Sequence, residues 1–142
     1  MLEMLKHAHS GFRWIVLILL LVTIFNAFKK RKGNQVWSDG DQKLALYTFI
    51  STHIQLLLGL ILYFISPYVT FDMADKLSRF YSVEHISLMV IGIALITVGY
   101  IKAKKAAEGK KAKTIFTFFL IGLILILLRI PWPGMGLGAN WF

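Results

Sequence analysis

The sequence predicts an all-α protein, an integral membrane bundle of four helices. Of its 142 residues, 57% are hydrophobic, and its mean hydropathy is clearly positive. Four apolar runs each approach the ~20 residues that a helix needs to cross ~30 Å of hydrocarbon. These runs cover residues 10–28, 44–66, 81–101 and 114–130. Since they occupy most of the chain, we expect a single four-span domain over residues 1–142.

The positions of the basic residues predict the topology. The formal net charge is +9, but most of the positive charge lies in two loops. Five basic residues lie near the first loop and six near the third: Lys29, Lys30, Arg31, Lys32 and Lys43, then Lys102, Lys104, Lys105, Lys110, Lys111 and Lys113. The positive-inside rule makes both loops cytoplasmic and places both termini outside, in the periplasm. This placement favours topology and contact with anionic lipid in the bilayer over binding of nucleic acid.

Several classes of chemistry find no support in the sequence. The chain contains no cysteine, which excludes disulfides, thiolate metal sites, iron–sulfur clusters and covalently attached c-type haem. It has no Ser-His-Asp arrangement, phosphate-binding glycine loop or HExxH motif, so hydrolases and nucleotide enzymes are not indicated. No acidic residue lies deep in a span, which argues against a cation pathway.

The third span, from Tyr81 to Tyr100, carries the most informative residue. His85 lies within an apolar run beside Glu84. An ionisable residue inside a membrane is costly without a partner and is therefore a candidate functional residue. Gly92 and Gly99 follow at seven-residue spacing on the same helix face. These glycines could leave room for a flat cofactor, or they could permit a close helix contact.

Two more histidines lie on other spans. His9 and Arg13 share one face near the outer end of the first span, and His53 lies in an apolar wall of the second. At 1.5 Å per residue, His9 lies roughly 28 Å, His85 roughly 24 Å and His53 roughly 14 Å from the inner end of its helix, so His53 is the most deeply placed of the three. His9 and His85 are therefore the better pair of ligands, whereas His53 could join His85 only if the helices tilt. The alternatives are a solvated terminal histidine for His9 and a hydrogen bond to a neighbouring helix for His53.

The outer face also collects three arginines, Arg13, Arg79 and Arg129. Guanidinium groups match carboxylates in geometry and charge. If a haem lies between the histidines with its propionates pointing outward, these arginines are suitable partners. Arg13 and Arg129 are therefore candidate cofactor-binding residues, with His9, His53 and His85 as candidate metal ligands.

Four segments resemble a known family over nearly the whole chain and in the same order. They are His7-Ala-His9-Ser10 with Arg13, residues 53–60 (HIQLLLGL), residues 80–86 (FYSVEHI) and residues 130–133 (IPWP). They are similar to short four-span proteins of Bacteroidota that are commonly labelled "cytochrome B". The resemblance implies an inner-membrane protein that binds non-covalent b-type haem, with His9, His53 and His85 as the candidate ligand set. It does not carry over a quinone site or a reaction.

The second span also predicts an interface. Its small and polar residues form a stripe on the side opposite His53: Thr48, Ser51, Thr52, Gln55 and Gly59. If His53 faces the bundle interior, this stripe would face outward, where a glutamine amide would lack partners. We therefore expect the stripe to contact another membrane subunit or a second copy of the chain. In the alternative arrangement, the stripe lies inside the bundle.

Two functions from different classes follow. The first is a haem b protein in electron transfer, associated with a respiratory membrane complex rather than acting as a stand-alone enzyme. The second is a haem-free accessory or assembly subunit of a larger membrane complex. An absorption spectrum of the oxidised and reduced protein separates them.

Overall fold

The computed structural model describes residues 1–141, which form helices and short connections. The helices are α1 (Leu2–Lys30), α2 (Asp39–Ile65), a short α3 (Lys76–Arg79), α4 (His85–Lys105) and α5 (Glu108–Leu128), with a π-helical turn (Phe80–Glu84) between α3 and α4. Four helices are long and apolar enough to cross a membrane, namely α1, α2, α5 and the continuous unit from α3 to α4. The predicted all-α fold with four spans is confirmed, and the chain is a multi-pass membrane protein.

The helices extend beyond the apolar runs from which they were predicted. Helix α1 begins at Leu2 rather than at residue 10, and the third helical unit begins at Lys76 rather than at residue 81. Hydropathy marks only the part of a helix that suits hydrocarbon, whereas backbone hydrogen bonding continues through its polar ends. The extra turns matter because they carry His9 into the helical part of the chain.

The four spans form a ring in which α1 and α4 are diagonal. Helix α1 packs against α2 and α5, while α4 packs against α5 and, less extensively, against α2. The centre of the bundle is filled by side chains that are completely buried, among them Leu20, Ile96, Ile115 and Phe119. Any group held between α1 and α4 therefore lies inside the bundle.

Glycines bring α4 and α5 into close contact. A Cβ atom at Gly92 would lie 3.1 Å from the carbonyl oxygen of Gly122, and one at Gly99 would lie 2.3 Å from Cβ of Phe118. Gly92 and Gly99 therefore permit a close helix contact, the second of the two roles predicted for them. They leave no space for a cofactor ring. Small residues have this role in membrane bundles because association there depends on close backbone approach.

The polar stripe of α2 lies inside the bundle, so the interface predicted at this face is wrong. Thr48 and Thr52 are completely buried and Ser51 is almost so. The hydroxyls of Thr48 and Thr23 are 2.7 Å apart, and Ser51 and Thr52 donate to carbonyls of their own helix.

The prediction failed because α2 contacts two neighbouring helices. Its polar stripe packs against α1, while His53 faces α4. Both of these sides of α2 are therefore covered by neighbouring helices, although only one of them was expected to face the bundle interior. The exposed surface of α2 is apolar and suits lipid; it includes Ile50, Ile54, Leu57, Ile61 and Phe64.

A buried acid fastens the loop between α1 and α2. Asp41 accepts hydrogen bonds from the backbone and hydroxyl of Ser38, at 2.9 and 2.8 Å, while the Ser38 hydroxyl accepts from the Asp41 backbone. This reciprocal capping box begins α2. Lys30, at the end of α1, donates to the same carboxylate. The loop is thus held by one side chain that joins both helices.

We expect Asp41→Ala to lower the free energy of unfolding by about 2 kcal/mol, because it removes one half of the capping box and leaves the Lys30 ammonium without its partner. Unfolding in mixed micelles with increasing dodecyl sulfate, followed by circular dichroism, measures the change. The matched control is Asp39→Ala, since Asp39 is exposed in the same helical turn and should cost no more than about 0.5 kcal/mol. Equal effects of the two substitutions would contradict this account of Asp41.

Candidate functional site

A cavity of about 260 Å³ lies within the bundle, toward the end opposite the lysine-rich loops. All four spans and the C-terminal segment contribute to its wall. The polar side chains that line it include His9, Arg13, Gln55, Tyr63, Tyr81 and His85, and the apolar ones include Leu56, Met89, Ile93, Ile126 and Ile130. A mainly apolar cavity with a few convergent polar groups is typical of a ligand site.

His9 and His85 lie close together in the wall of this cavity, on the diagonal helices α1 and α4. Their ring centroids are 6.4 Å apart, and the ring planes are inclined by 75°. The proximity expected from helix depth is therefore observed. Their role as ligands stays a prediction.

The π-helical turn sets the position of His85. The backbone N–H of His85 bonds to the carbonyl of Phe80, five residues earlier. Tyr63 donates its hydroxyl to the carbonyl of Ser82, at 2.9 Å, and so anchors the turn to α2. Such turns rotate the residues that follow them and are frequent at functional sites.

A single hydrogen bond determines which ring nitrogen of His85 is free to bind a ligand. Its Nδ1 lies 2.7 Å from the carbonyl oxygen of Arg129. Because a carbonyl only accepts, Nδ1 carries the proton, and Nε2 of the neutral ring keeps its lone pair. A metal-binding histidine is commonly oriented in this way, by donation from its other nitrogen to a backbone carbonyl.

Buried polar atoms without protein partners cluster around His9. Gln55 donates to the His9 carbonyl at 2.9 Å, but its own Oε1 makes no hydrogen bond to the described residues. The same is true of His9 Nδ1 and Arg13 Nε within residues 1–141. An unsatisfied buried polar group costs about 1–3 kcal/mol. Three such groups therefore lie on residues of one cavity wall.

Gly59 provides the space for the His9 ring. A Cβ atom at Gly59 would lie 3.0 Å from Cε1 of His9, which is closer than a side chain tolerates without displacing its neighbour. Helix α2 thus contributes a gap opposite α1, with Gln55 one turn away on the same face.

The C-terminal segment covers the end of the cavity that is remote from the lysine-rich loops. Arg13 and Trp14 both donate to the carbonyl of Trp141, at 2.9 and 3.0 Å, and Tyr81 donates to the carbonyl of Leu137 at 3.0 Å. The guanidinium of Arg13 also lies over the rings of Trp14 and Trp132. Arg13 is only 8% exposed, so its charge is held at the cavity wall.

Two predicted site residues lie outside the cavity. The guanidinium of Arg129 turns to Glu84, with Nε 3.5 Å from Oε2, and Arg129 reaches the site only through the carbonyl that holds His85. His53 places Nδ1 2.7 Å from the Phe49 carbonyl and Nε2 3.2 Å from the Thr97 hydroxyl. His53 is therefore hydrogen-bonded to its own helix and to the neighbouring helix α4. This agrees with the alternative predicted for this residue, a hydrogen bond to a neighbouring helix.

Sequence reasoning did not assign Tyr63, Tyr81 or the C-terminal segment to the site. The only available signal was their common position near the outer helix ends. Gln55 and Gly59 were noted, but as part of an interface. An amide within an apolar span, four residues before a glycine, was the signal that could have placed both beside a ligand.

The fold and this cavity define a class: a multi-pass membrane protein with a histidine-lined cavity inside a four-helix bundle. No family model, curated protein or solved structure matches the chain. Among the described residues, no three His, Cys, Asp or Glu side chains are grouped to hold a metal ion. Two facing histidines are too few for a bare ion but sufficient for a metal whose other ligands come from a cofactor.

Proposed function

We propose that the protein binds one non-covalent b-type haem between His9 and His85 and serves in electron transfer. The main observation in support of this proposal is the distance of 6.4 Å between the two ring centroids. Imidazoles on opposite sides of one metal, each with a metal–nitrogen bond of about 2 Å, have centroids about 6 Å apart. The separation thus suits two imidazoles that would hold the same metal atom.

The chemistry of the donor set agrees with this assignment. His85 offers a free Nε2 because Nδ1 is bonded to the Arg129 carbonyl, and His9 has an unpartnered Nδ1 and can present a ring nitrogen to the cavity. Bound haem supplies a reversible one-electron couple. If both histidines bound the iron, neither would be free to act on a substrate, which favours electron transfer over catalysis.

The other residues of the cavity hold and shield the group. Leu56, Met89 and Ile126 supply an apolar wall that excludes water. Arg13 stands at the outer end with an unpartnered Nε, where a propionate carboxylate would satisfy it by a charge-assisted hydrogen bond. We assign the carboxylate-binding role to Arg13 rather than Arg129, because only Arg13 lines the cavity.

The charge distribution supports a periplasmic location for this site. The lysine-rich loops at the opposite end favour the cytoplasm, so the haem would lie toward the periplasmic side of a bacterial inner membrane. An electron carrier there needs a membrane partner, either a subunit of a respiratory complex or a second copy of the chain.

The test is the absorption spectrum of protein purified from cells with ample haem. We expect about one haem per chain in a pyridine haemochrome assay and a low-spin spectrum that sharpens on reduction. A folded but colourless protein would overturn the proposal and favour the haem-free accessory subunit.

A further inference from the structure

A second groove, of about 240 Å³, lies outside the histidine cavity, between α3, the π-helical turn, the end of α5 and the C-terminal segment. It is lined by Lys76, Arg79, Phe80, Glu84, Arg129, Met135 and Leu137. Three of these residues are cationic and one is acidic. Lys76, Arg79 and Glu84 lie on one continuous helical segment, and the fold adds Arg129 from the end of α5.

One carboxylate serves two guanidinium groups in this groove. Arg79 Nε lies 3.2 Å from Glu84 Oε1, and Arg129 Nε lies 3.5 Å from Glu84 Oε2. The Lys76 ammonium donates only to the carbonyl of Met135 within residues 1–141. Positive charge therefore exceeds negative charge by two in the groove wall.

Two further acids lie close in sequence but outside the groove wall. Asp72 accepts from the backbone of Ala74, and Asp75 accepts from the backbone of Ser78. Neither acid lines the groove.

The arginines remain able to bind an anion. Their side chains are 44% and 40% exposed, for Arg79 and Arg129 respectively. In each, Nη2 makes no hydrogen bond to the part of the chain that the structure describes. Planar guanidinium groups with free nitrogens are suited to the oxygens of a phosphate.

The position of the groove indicates where a phosphate would come from. It lies at the end of α5, where the chain leaves the apolar span, and its wall contains the buried apolar residues Phe80 and Leu137. Phospholipid headgroups occupy this level of a bilayer, with their acyl chains beside the helices. We propose that this groove binds the phosphate of an anionic phospholipid headgroup through Arg79, Arg129 and Lys76.

The experiment compares protein in nanodiscs of phosphatidylcholine with and without phosphatidylglycerol, reading lipid retention by native mass spectrometry. The native chain should retain phosphatidylglycerol selectively. Arg79→Gln with Arg129→Gln should lower this selectivity on the order of thirtyfold, because each basic residue near the surface contributes about 1 kcal/mol to anionic lipid binding. Circular dichroism and the elution profile in size-exclusion chromatography serve as the check that this variant folds.

Matched variants make the result specific to the groove. Lys104→Gln with Lys105→Gln removes the same charge at the other end of the bundle and should leave most of the selectivity intact. Glu84→Gln removes the competing carboxylate and should raise retention, which keeps the proposal testable if the double arginine variant does not fold. Equal retention by the native chain and by the groove variants would overturn the site.

Soluble phosphate forms the other arm. If inorganic phosphate raises the melting temperature in phosphatidylcholine nanodiscs through Arg79 and Arg129, and phosphatidylglycerol does not, the ligand is a free anion and the lipid assignment is wrong. Neither arm depends on haem binding, so failure here is distinct from failure of the electron-transfer proposal.

Discussion

His85→Ala is expected to abolish the low-spin haem spectrum. The substitution removes the ring whose Nε2 is left free by the bond from Nδ1 to the Arg129 carbonyl, and it leaves His9 as the single member of the proposed pair. Haem per chain should fall at least tenfold, as expected when an axial ligand on a buried cofactor is lost. Pyridine haemochrome assay and the reduced-minus-oxidised spectrum measure the loss.

Imidazole separates loss of the ligand from loss of the fold. Added to the His85→Ala variant during haem loading, it can enter the space left by the ring and should restore part of the low-spin spectrum. His9→Ala should behave like His85→Ala. His53→Ala is the control, since His53 bonds to Phe49 and Thr97 away from the cavity. A folded His85→Ala protein with full low-spin haem, or haem loss caused by His53→Ala alone, would refute the assigned pair.

Gly59→Leu is the second substitution with a large expected effect. Even a Cβ atom at this position would lie 3.0 Å from His9 Cε1, and the longer side chain would occupy the gap that the ring needs. We expect haem per chain to fall severalfold, with a stability cost of about 1–3 kcal/mol from overpacking. Gly59→Ala should give a smaller loss in the same direction.

Gly11→Leu is the matched control, because a Cβ atom at Gly11 meets nothing within 4 Å. It makes the same chemical change within a helix near the same end of the bundle. Its haem content should equal that of the native chain. If Gly11→Leu and Gly59→Leu lose haem equally, the effect belongs to bundle stability and not to the space around His9.

Helix geometry explains why part of the site was predictable. Each residue of a helix advances by 1.5 Å whatever its side chain, so the distance from the inner helix ends placed His9 and His85 at similar depth and His53 deeper. The ring separation of 6.4 Å agrees with that estimate. No comparable rule gives the rotation of a helix about its axis. Predictions of which helix face points into the bundle were therefore less accurate.

Helix α2 shows why rotation was not predictable. Its polar stripe and His53 were treated as alternatives for one interior face, but α2 packs on α1 with Thr48 and on α4 with His53. Either orientation would have satisfied the hydroxyls, because serine and threonine can bond to carbonyls of their own helix. Only the arrangement of the neighbouring helices decided the outcome.

The sequence by itself determined the four membrane spans and the shared depth of His9 and His85, because hydropathy and the constant helical rise are local properties. Tertiary structure alone decided that Gly59, rather than Gly92 or Gly99, gives space to a ring, and that Arg13, rather than Arg129, lines the cavity. These outcomes depend on a π-helical turn, on close contact of α4 with α5 and on a C-terminal segment folded back onto α1. Each of these features is set by contacts between distant parts of the chain, which local sequence patterns do not encode.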